Sequence, residues 1–398
     1  MSKPANFQSI INPSRSDAHN QHFNAVLEKL TTLLKDAIAR SRIDYGDGLV
    51  LHTPDVSKGY KGIWPDDFLF PWIVVPELAD APTMNRALEF LSDSLLQLPS
   101  VPDRVHKGGQ TVMKPGGPSQ QYGHQMPMHL PAAWTRVLDV FQQMGATIPR
   151  RAEWAALLER SFAQVPFEDD LVYIDPKKPS VGFGFQDPCL ITGKVLLASL
   201  ILQRGFDRAA GLFAKDLSPD VLHSWKRKSE GIKTGVQQLW DDTSGTFMAG
   251  SHDGRQTDVW GNGLAYWYAN EEQQERIVKW YEAKRSAVFN RGFTRHIAEA
   301  NGWLSHPTWA KVPLGTYTNG GFWPAGTGFV LPAIADRNMT LASELAQELD
   351  ENIEACKLPE WIYANGQSGG KTGFLMGMAM PALAIRSILE SKALPNYL

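Results

Sequence analysis

Apolar residues along the chain recur mostly at helical spacing. Phe23, Val26, Leu27, Leu30, Leu33, Leu34 and Ile38 form the stripe of an amphipathic helix. Similar patterns cover 83–98, 131–144, 150–164, 189–204, 219–240, 271–288, 339–356 and 372–390. Strand-like alternation is scarce and no βαβ rhythm occurs, so the pattern predicts an all-α chain. The segments CLITGKVLLASLILQR (189–204) and TGFLMGMAMPALAIRSILE (372–390) are apolar on most sides, which predicts burial. By contrast, 271–288 and 339–356 carry charge on one face. Residues 1–18 are polar, with Pro4 and Pro13, and read as a lead-in to one domain over 19–398.

Six segments share a different character, with glycine, proline, aromatics and a few polar groups. They are GIWPDDF (62–68), GHQMPMHLPAAW (123–134), GFGFQDPCLITG (182–193), QTDVWGNGLA (256–265), YTNGGFWPAGTG (317–328) and LPEWIYANGQSGGKTGF (358–374). Each leads into an apolar helix, and the spacing between them leaves room for six helical hairpins. Six buried helices ringed by six amphipathic ones predict a closed (α/α)6 barrel. In that barrel the loops entering the inner helices gather at one end and line a single pit.

Charge narrows the function. Against 42 acidic residues stand 39 Lys and Arg, a net charge of −3, which argues against a broad grip on nucleic acid. Trp (13) outnumbers Tyr (10); each Trp offers a flat face for a core or for a sugar ring. Cys189 and Cys356 cannot supply a disulfide framework or a thiolate zinc site. No secretory h-region and no apolar run of membrane-spanning length is visible, so the expectation is a cytoplasmic protein without membrane contact.

Phosphate-loop, dinucleotide, HExxH and GxSxG motifs are absent, and the acidic run EDDLVYID (168–175) reads as a solvated loop. What the six loops do supply is carboxylates: Asp66, Asp67, Asp187, Asp258 and Glu360. Hydrolysis of a glycosidic bond needs two, one donating a proton to the leaving oxygen and one attacking or activating water. A Trp-lined pit raises a carboxyl pKa by desolvation and stacks on a pyranose. Each residue also has a plainer reading. Asp187 precedes Pro188 and could cap a helix starting at 188–189; Asp258 could be another cap. Asp66 and Asp67 could be helix N-terminal acids, and Trp64, Trp260 and Trp323 could be core rather than pocket walls. His124 and His129 share a loop without metal spacing.

The loop order and several strings resemble the six-hairpin glycosidase superfamily, nearest its trehalase, α-glucosidase and mannosylglycerate hydrolase clan. GIWPDDF is similar to the family's Trp-Asp loop, and GFQDPCLITG sits where the family carries its acid. QTDVWGNGLA is similar to a Trp-Gly segment, and YTNGGFWPAGTGFVLPAIA to the Trp-Pro substrate loop. LPEWIYANGQSGGKTGF is similar to the segment bearing the base. Departures are Gln186 before the acid and Phe374-Leu375-Met376 after the base segment. The resemblance implies an inverting glycoside hydrolase acting on a small, α-linked, neutral or weakly anionic sugar compound. Asp187 would be the general acid and Glu360 the general base. Trp64, Asp66, Asp67, His129, Asp258, Trp260, Tyr317, Asn319 and Trp323 would bind substrate, without metal or organic cofactor. The length leaves no room for the β-sandwich that many such proteins carry, so a loop or partner is expected to close the site.

Two rivals remain. One is a sugar 2-epimerase on the same barrel using histidines, for which His296, His306, His129 and His252 are available. A lyase ranks below it, since Lys194, Lys371, Arg255 and Arg295 are the few basic residues near the loops. The other is a carbohydrate-binding protein without catalysis.

Overall fold

The structure, a computed structural model, describes residues 16–117, 120–298, 302–303 and 311–396. These contain thirteen α-helices: α1 Asp17–Ser41, α2 Pro65–Val74, α3 Ala81–Leu95, α4 Leu130–Gln143, α5 Arg151–Ala163, α6 Leu196–Leu212, α7 Pro219–Gly235, α8 Val259–Ala265, α9 Glu271–Ala283, α10 Arg285–Val288, α11 Pro324–Arg337, α12 Met339–Asn352 and α13 Met376–Leu389. Of the lead-in expected over 1–18, residues 1–15 lie outside the described residues. Asp17 and Ala18 already belong to α1, which Ser16 caps.

Helices α2, α4, α6, α8, α11 and α13 touch in that order around a ring, and α13 returns to α2. α1, α3, α5, α7, α9 and α12 alternate with them along the chain; α12 and α13 both pack on α1, closing the outer layer. This is the (α/α)6 barrel the pattern predicts. The inner helices are largely buried: every residue of α8 is buried, and α11 is buried from Pro324 to Asp336. Each fully buried Leu, Ile, Phe or Met of this ring contributes roughly 1.5–3 kcal/mol over an exposed one. The ring is tight because glycines admit neighbouring backbone. A Cβ on Gly263 would collide with the carbonyl of Phe329, and one on Gly328 with the backbone of Met380.

Several boundaries differ from the sequence pattern. The helix expected over 189–204 is α6, 196–212. Gly193 has φ +77°, and Gly193–Lys194 pairs with Tyr173–Ile174, so the chain is extended until Val195. The helical pattern of 219–240 ends at Gly235 and continues as a 3₁₀ turn. Inner helices α2, α8 and α11 carry no polar face, which is why periodicity did not mark them.

Helix starts divide into two kinds. Outer helices α1, α3, α7, α9 and α12 are capped by the side chains of Ser16, Asp80, Ser218, Asn270 and Asn338. Inner helices α2, α4, α6, α11 and α13 have no side-chain cap; among the inner ring only α8 has one, from Asp258. Uncapped N–H groups and the positive end of the helix dipole therefore point toward the mouth of the barrel. Among the described residues no helix is long and apolar enough to cross a membrane.

Candidate active site

A cavity of about 430 Å³ opens at this end, within the range of small-molecule sites. It is lined from the loops that enter the five uncapped helices: Trp64, Asp66 and Asp67 before and at the start of α2, His129 and Leu130 at α4, Phe185 and Asp187 before α6, Tyr317 before α11, and Glu360 and Phe374 before α13. Thus Asp187 and Glu360, far apart in sequence, face one cavity.

Glu360 sits on the strand Pro359–Ile362, paired with Ser368–Thr372. The register shifts between Pro359 and Trp361, an irregularity of the kind that re-aims a side chain. Lys371 N donates to Oε2 at 2.8 Å, and the Tyr60 hydroxyl donates to both oxygens at 3.0 and 3.2 Å. Gly370, at φ +67°, is required here, because a Cβ would strike Oε2. Tyr60 is aimed by its own loop: the buried Asp55 carboxylate accepts from Gly59 N at 3.0 Å and Tyr60 N at 2.9 Å. Burial pushes Glu360 up to about 7, against the bonds from Lys371 and Tyr60.

Asp187 follows the 3₁₀ turn Gly184–Gln186. It is not a helix cap, because α6 starts nine residues later, at Leu196. Its Oδ1 is buried without a hydrogen-bond partner. Burial first, then the charge of Asp103, pushes it up to about 8. Since unfolded Asp titrates near 4, this group favours the folded state most below that pH and loses its contribution as pH rises through about 8. Asp187→Asn is therefore expected to raise the melting temperature more at about pH 9 than at about pH 6. Thermal melts at the two pH values check the sign.

The other acids behave differently. Asp67 is buried with Oδ1 unpartnered, and burial, then Asp66 and Glu360, holds it well above the carboxylate range. Burial also raises Asp66, but Arg136 and His129 outweigh it and hold the group below its usual value. His129 Nε2 bonds Asp66 Oδ2 at 3.0 Å, and Arg136 bonds Oδ1.

Of the residues expected to bind substrate, Trp64, Asp66, Asp67, His129 and Tyr317 line the cavity. The structure does not bring Asp258, Trp260, Asn319 and Trp323 to its lining. Asp258 caps α8 through Gly261 N at 2.8 Å and accepts from Gln186 Nε2 at 3.2 Å, steadying the turn that carries Asp187. Trp260 is fully buried, stacked 3.4 Å from the His296 ring. Trp323 is fully buried and donates to the Tyr317 carbonyl at 3.0 Å. Asn319 spends both ends of its amide on Trp303 N and Val312 O. Phe185 takes the wall position instead, with its edge on Trp323 at 6.1 Å.

Residues the sequence did not single out also line the cavity: Tyr60, Asp103 and Arg104. The strand Arg104–His106 pairs with Gly62–Ile63, which brings Asp103 under Trp64. The indole donates to Asp103 Oδ2 at 3.1 Å, and the Arg104 guanidinium lies 5.2 Å from the Trp64 ring. Arg104 also donates to Asp103 at 2.6 Å and to Gly116 O at 2.9 Å. Nothing local in the sequence marks this contact, since it depends on strand pairing across some forty residues.

His296 is buried away from the cavity and His252 is exposed; His306 lies outside the described residues. Among the described residues no cluster of His, Cys, Asp and Glu could hold a metal ion.

No family model matches the sequence, and no curated protein matches it. Solved structures do match. A mannosylglycerate hydrolase from Thermus thermophilus, in complex with Tris and D-glycerate, is 15% identical with a TM-score of 0.59, over 89% of this chain and 99% of that one. A rhamnosidase from Klebsiella oxytoca with rhamnose bound is 12% identical at 0.56, over 94% and 64%. A bacterial glucoamylase complexed with acarbose is 13% identical at 0.61, over 95% and 57%. At these identities the likeness is one of architecture: the chain shares the helical-barrel fold of these structures.

Proposed function

We propose that the protein is an inverting glycoside hydrolase acting on a small glycoside, with Asp187 as general acid and Glu360 as general base. The observation that carries this reading is the pair of carboxyls, from two loops far apart in sequence, that line one cavity. Burial raises both, Asp187 to about 8 and Glu360 to about 7, the direction in which a carboxyl becomes able to give or take a proton near neutrality. The solved structures named for hydrolysis of mannosylglycerate and for glucoamylase and rhamnosidase activities support the same class.

In the step itself Asp187 gives its proton to the glycosidic oxygen as the C1–O bond breaks. Glu360 takes a proton from a water whose oxygen bonds C1 from the opposite face. The products are an alcohol and a sugar of inverted anomeric configuration, and solvent resets both carboxyls. Trp64 offers an aromatic wall for the ring, while Asp67, which also lines the cavity, offers a hydrogen bond to a sugar hydroxyl. The cavity volume suits one terminal sugar with a compact aglycone. Lys61, exposed at its edge, tolerates a weakly anionic one.

The histidine-based epimerase reading is less favoured. His129 is committed to Asp66, and both ring nitrogens of His106, the other histidine lining the cavity, are engaged by Lys61 O and Arg104.

The test is a release assay over α- and β-linked disaccharides and glycosylated small acids, with product anomer followed by NMR. Inverted product is expected from an α-linked substrate, with kcat/KM greatest between about pH 7 and about pH 8. The rate falls below this window as Glu360 gains a proton and above it as Asp187 loses one. Product that keeps its configuration would remove the inverting mechanism. Sugar bound without turnover across the panel would leave the binding-protein reading in its place.

A further inference from the structure

Exposed residues mark the mouth of the cavity, Gly59 and Lys61 on one loop and Gly117 on another. Asp66, Asp67 and Glu360 are buried at its far end. A terminal sugar that reaches those carboxyls therefore leaves its aglycone between the two loops. Gly117 belongs to the segment between α3 and α4, where Arg104–His106 pairs with Thr111–Val112 and Gly116–Gly117 with Gln120–Gln121. Arg104, its side chain 8% exposed, ties this segment down. The guanidinium donates to Gly116 O at 2.9 Å, to Asp103 Oδ2 at 2.6 Å and, through Nε, to His106 Nε2 at 3.2 Å. His106, accepting at Nε2, donates through Nδ1 to Lys61 O at 3.0 Å. One buried side chain thus joins both lips of the mouth, and through Asp103 it also holds the Trp64 indole.

We propose that Arg104 is a specificity-determining residue: it sets the width of the mouth and so confines the protein to compact aglycones. This rests on the reading of the site as that of a glycoside hydrolase. The guanidinium suits the task because its planar fork serves acceptors on several sides at once, which the single ammonium of a lysine does not. Each of its three nitrogens donates to an acceptor of the chain itself, so Arg104 shapes the mouth rather than reading a charge on the substrate. The strand that carries it pairs on its other edge with Gly62–Ile63, next to Lys61, so both lips are anchored on the same strand.

The test measures kcat/KM for two glycosides of one glycone, a methyl glycoside and one whose aglycone is a disaccharide. The wild type is expected to favour the methyl glycoside by roughly 10- to 200-fold, the range over which pocket size discriminates. Arg104→Lys keeps a positive charge beside Asp103 but gives up the fork. The preference is then expected to shrink roughly 10-fold, chiefly through a lower KM for the larger glycoside. His106→Phe keeps a ring against Trp64, whose centroid lies 6.3 Å away, and cuts the link to Lys61. It is expected to shrink the preference in the same direction by less. A structural fault lowers activity on both substrates together and does not improve the larger relative to the smaller. An unchanged ratio in Arg104→Lys, or a wild type that takes both glycosides equally, would overturn the proposal. Should Arg104→Lys fail to fold, the ratio in His106→Phe decides in its place. If no glycoside is cleaved, the hydrolase reading falls alone. The ratio of dissociation constants for the same two glycosides, by calorimetry, then decides the role of Arg104 by the same criterion.

Discussion

Glu360→Gln is expected to lower kcat roughly 10³- to 10⁴-fold on every glycoside the protein cleaves, the upper part of the range for a general base. Gln keeps the shape and the bonds from Tyr60 and Lys371 but cannot take a proton from water. No other described carboxylate is placed as well to replace it. Asp66 is paired with Arg136 and His129, and Asp103 with Arg104 and Trp64. Asp67 is pushed well above the usual carboxylate range by burial and by its acidic neighbours. The loss should not depend on leaving group, because activation of water is required whichever aglycone departs. Purified variant and wild type compared at about pH 7.5, with sugar affinity measured in parallel, check this. Glu360→Gln turning over at the wild-type rate would end the reading of the site as a hydrolase built on this pair.

The second large effect is on stability. Arg136, on α4, reaches Asp66 in the first turn of α2, and both are buried. Its guanidinium also lies 4.3 Å from the Phe70 ring, so one side chain ties two neighbouring inner helices. Arg136→Met keeps much of the volume but leaves Asp66 with His129 alone. Removing one partner of a buried pair costs about 3–5 kcal/mol, and urea unfolding should show a loss of that size. Replacing Asp66 by Asn in the same chain should recover part of it, since no uncompensated charge then remains. A loss below about 1 kcal/mol, the value of an exposed pair, would mean that the ion pair does not hold the ring together.

Much of the barrel was legible in the chain. Outer helices such as α1 and α12 have one apolar face and a side-chain cap, and both signals are local. Inner helices were visible more through their leading loops than through their own residues. VWGNGLA has no polar side to set a period, and α2, α11 and α13 each contain an internal proline, at Pro71, Pro332 and Pro381. At the site, Asp187 and Glu360 stood out because each lies beside Pro in an aromatic loop. Trp260 and Trp323 stood out because each lies beside Gly or Pro in such a loop, yet the structure buries them behind Phe185. A Trp in a glycine-rich loop can serve as the wall of a pocket or as the support of that wall, and spacing alone does not separate the two. Tyr60 and Asp103 carried no local signal. One is aimed by the turn at Asp55 and the other by strand pairing, and both depend on contacts that only the folded chain makes.

The ring of inner helices has a consequence for the order of events during synthesis. α2 meets α13 only after more than three hundred residues, and α1 waits as long for its packing against α12 and α13. A nascent barrel thus carries an open seam, with apolar flanks exposed, until the last hairpin leaves the ribosome, and such long-range closure is slow and prone to aggregation. The Tyr60–Glu360 bond spans that seam. Intermediates lacking the final segment hold Tyr60 without its carboxylate, so the proposed pair of carboxyls is complete only once the barrel is sealed.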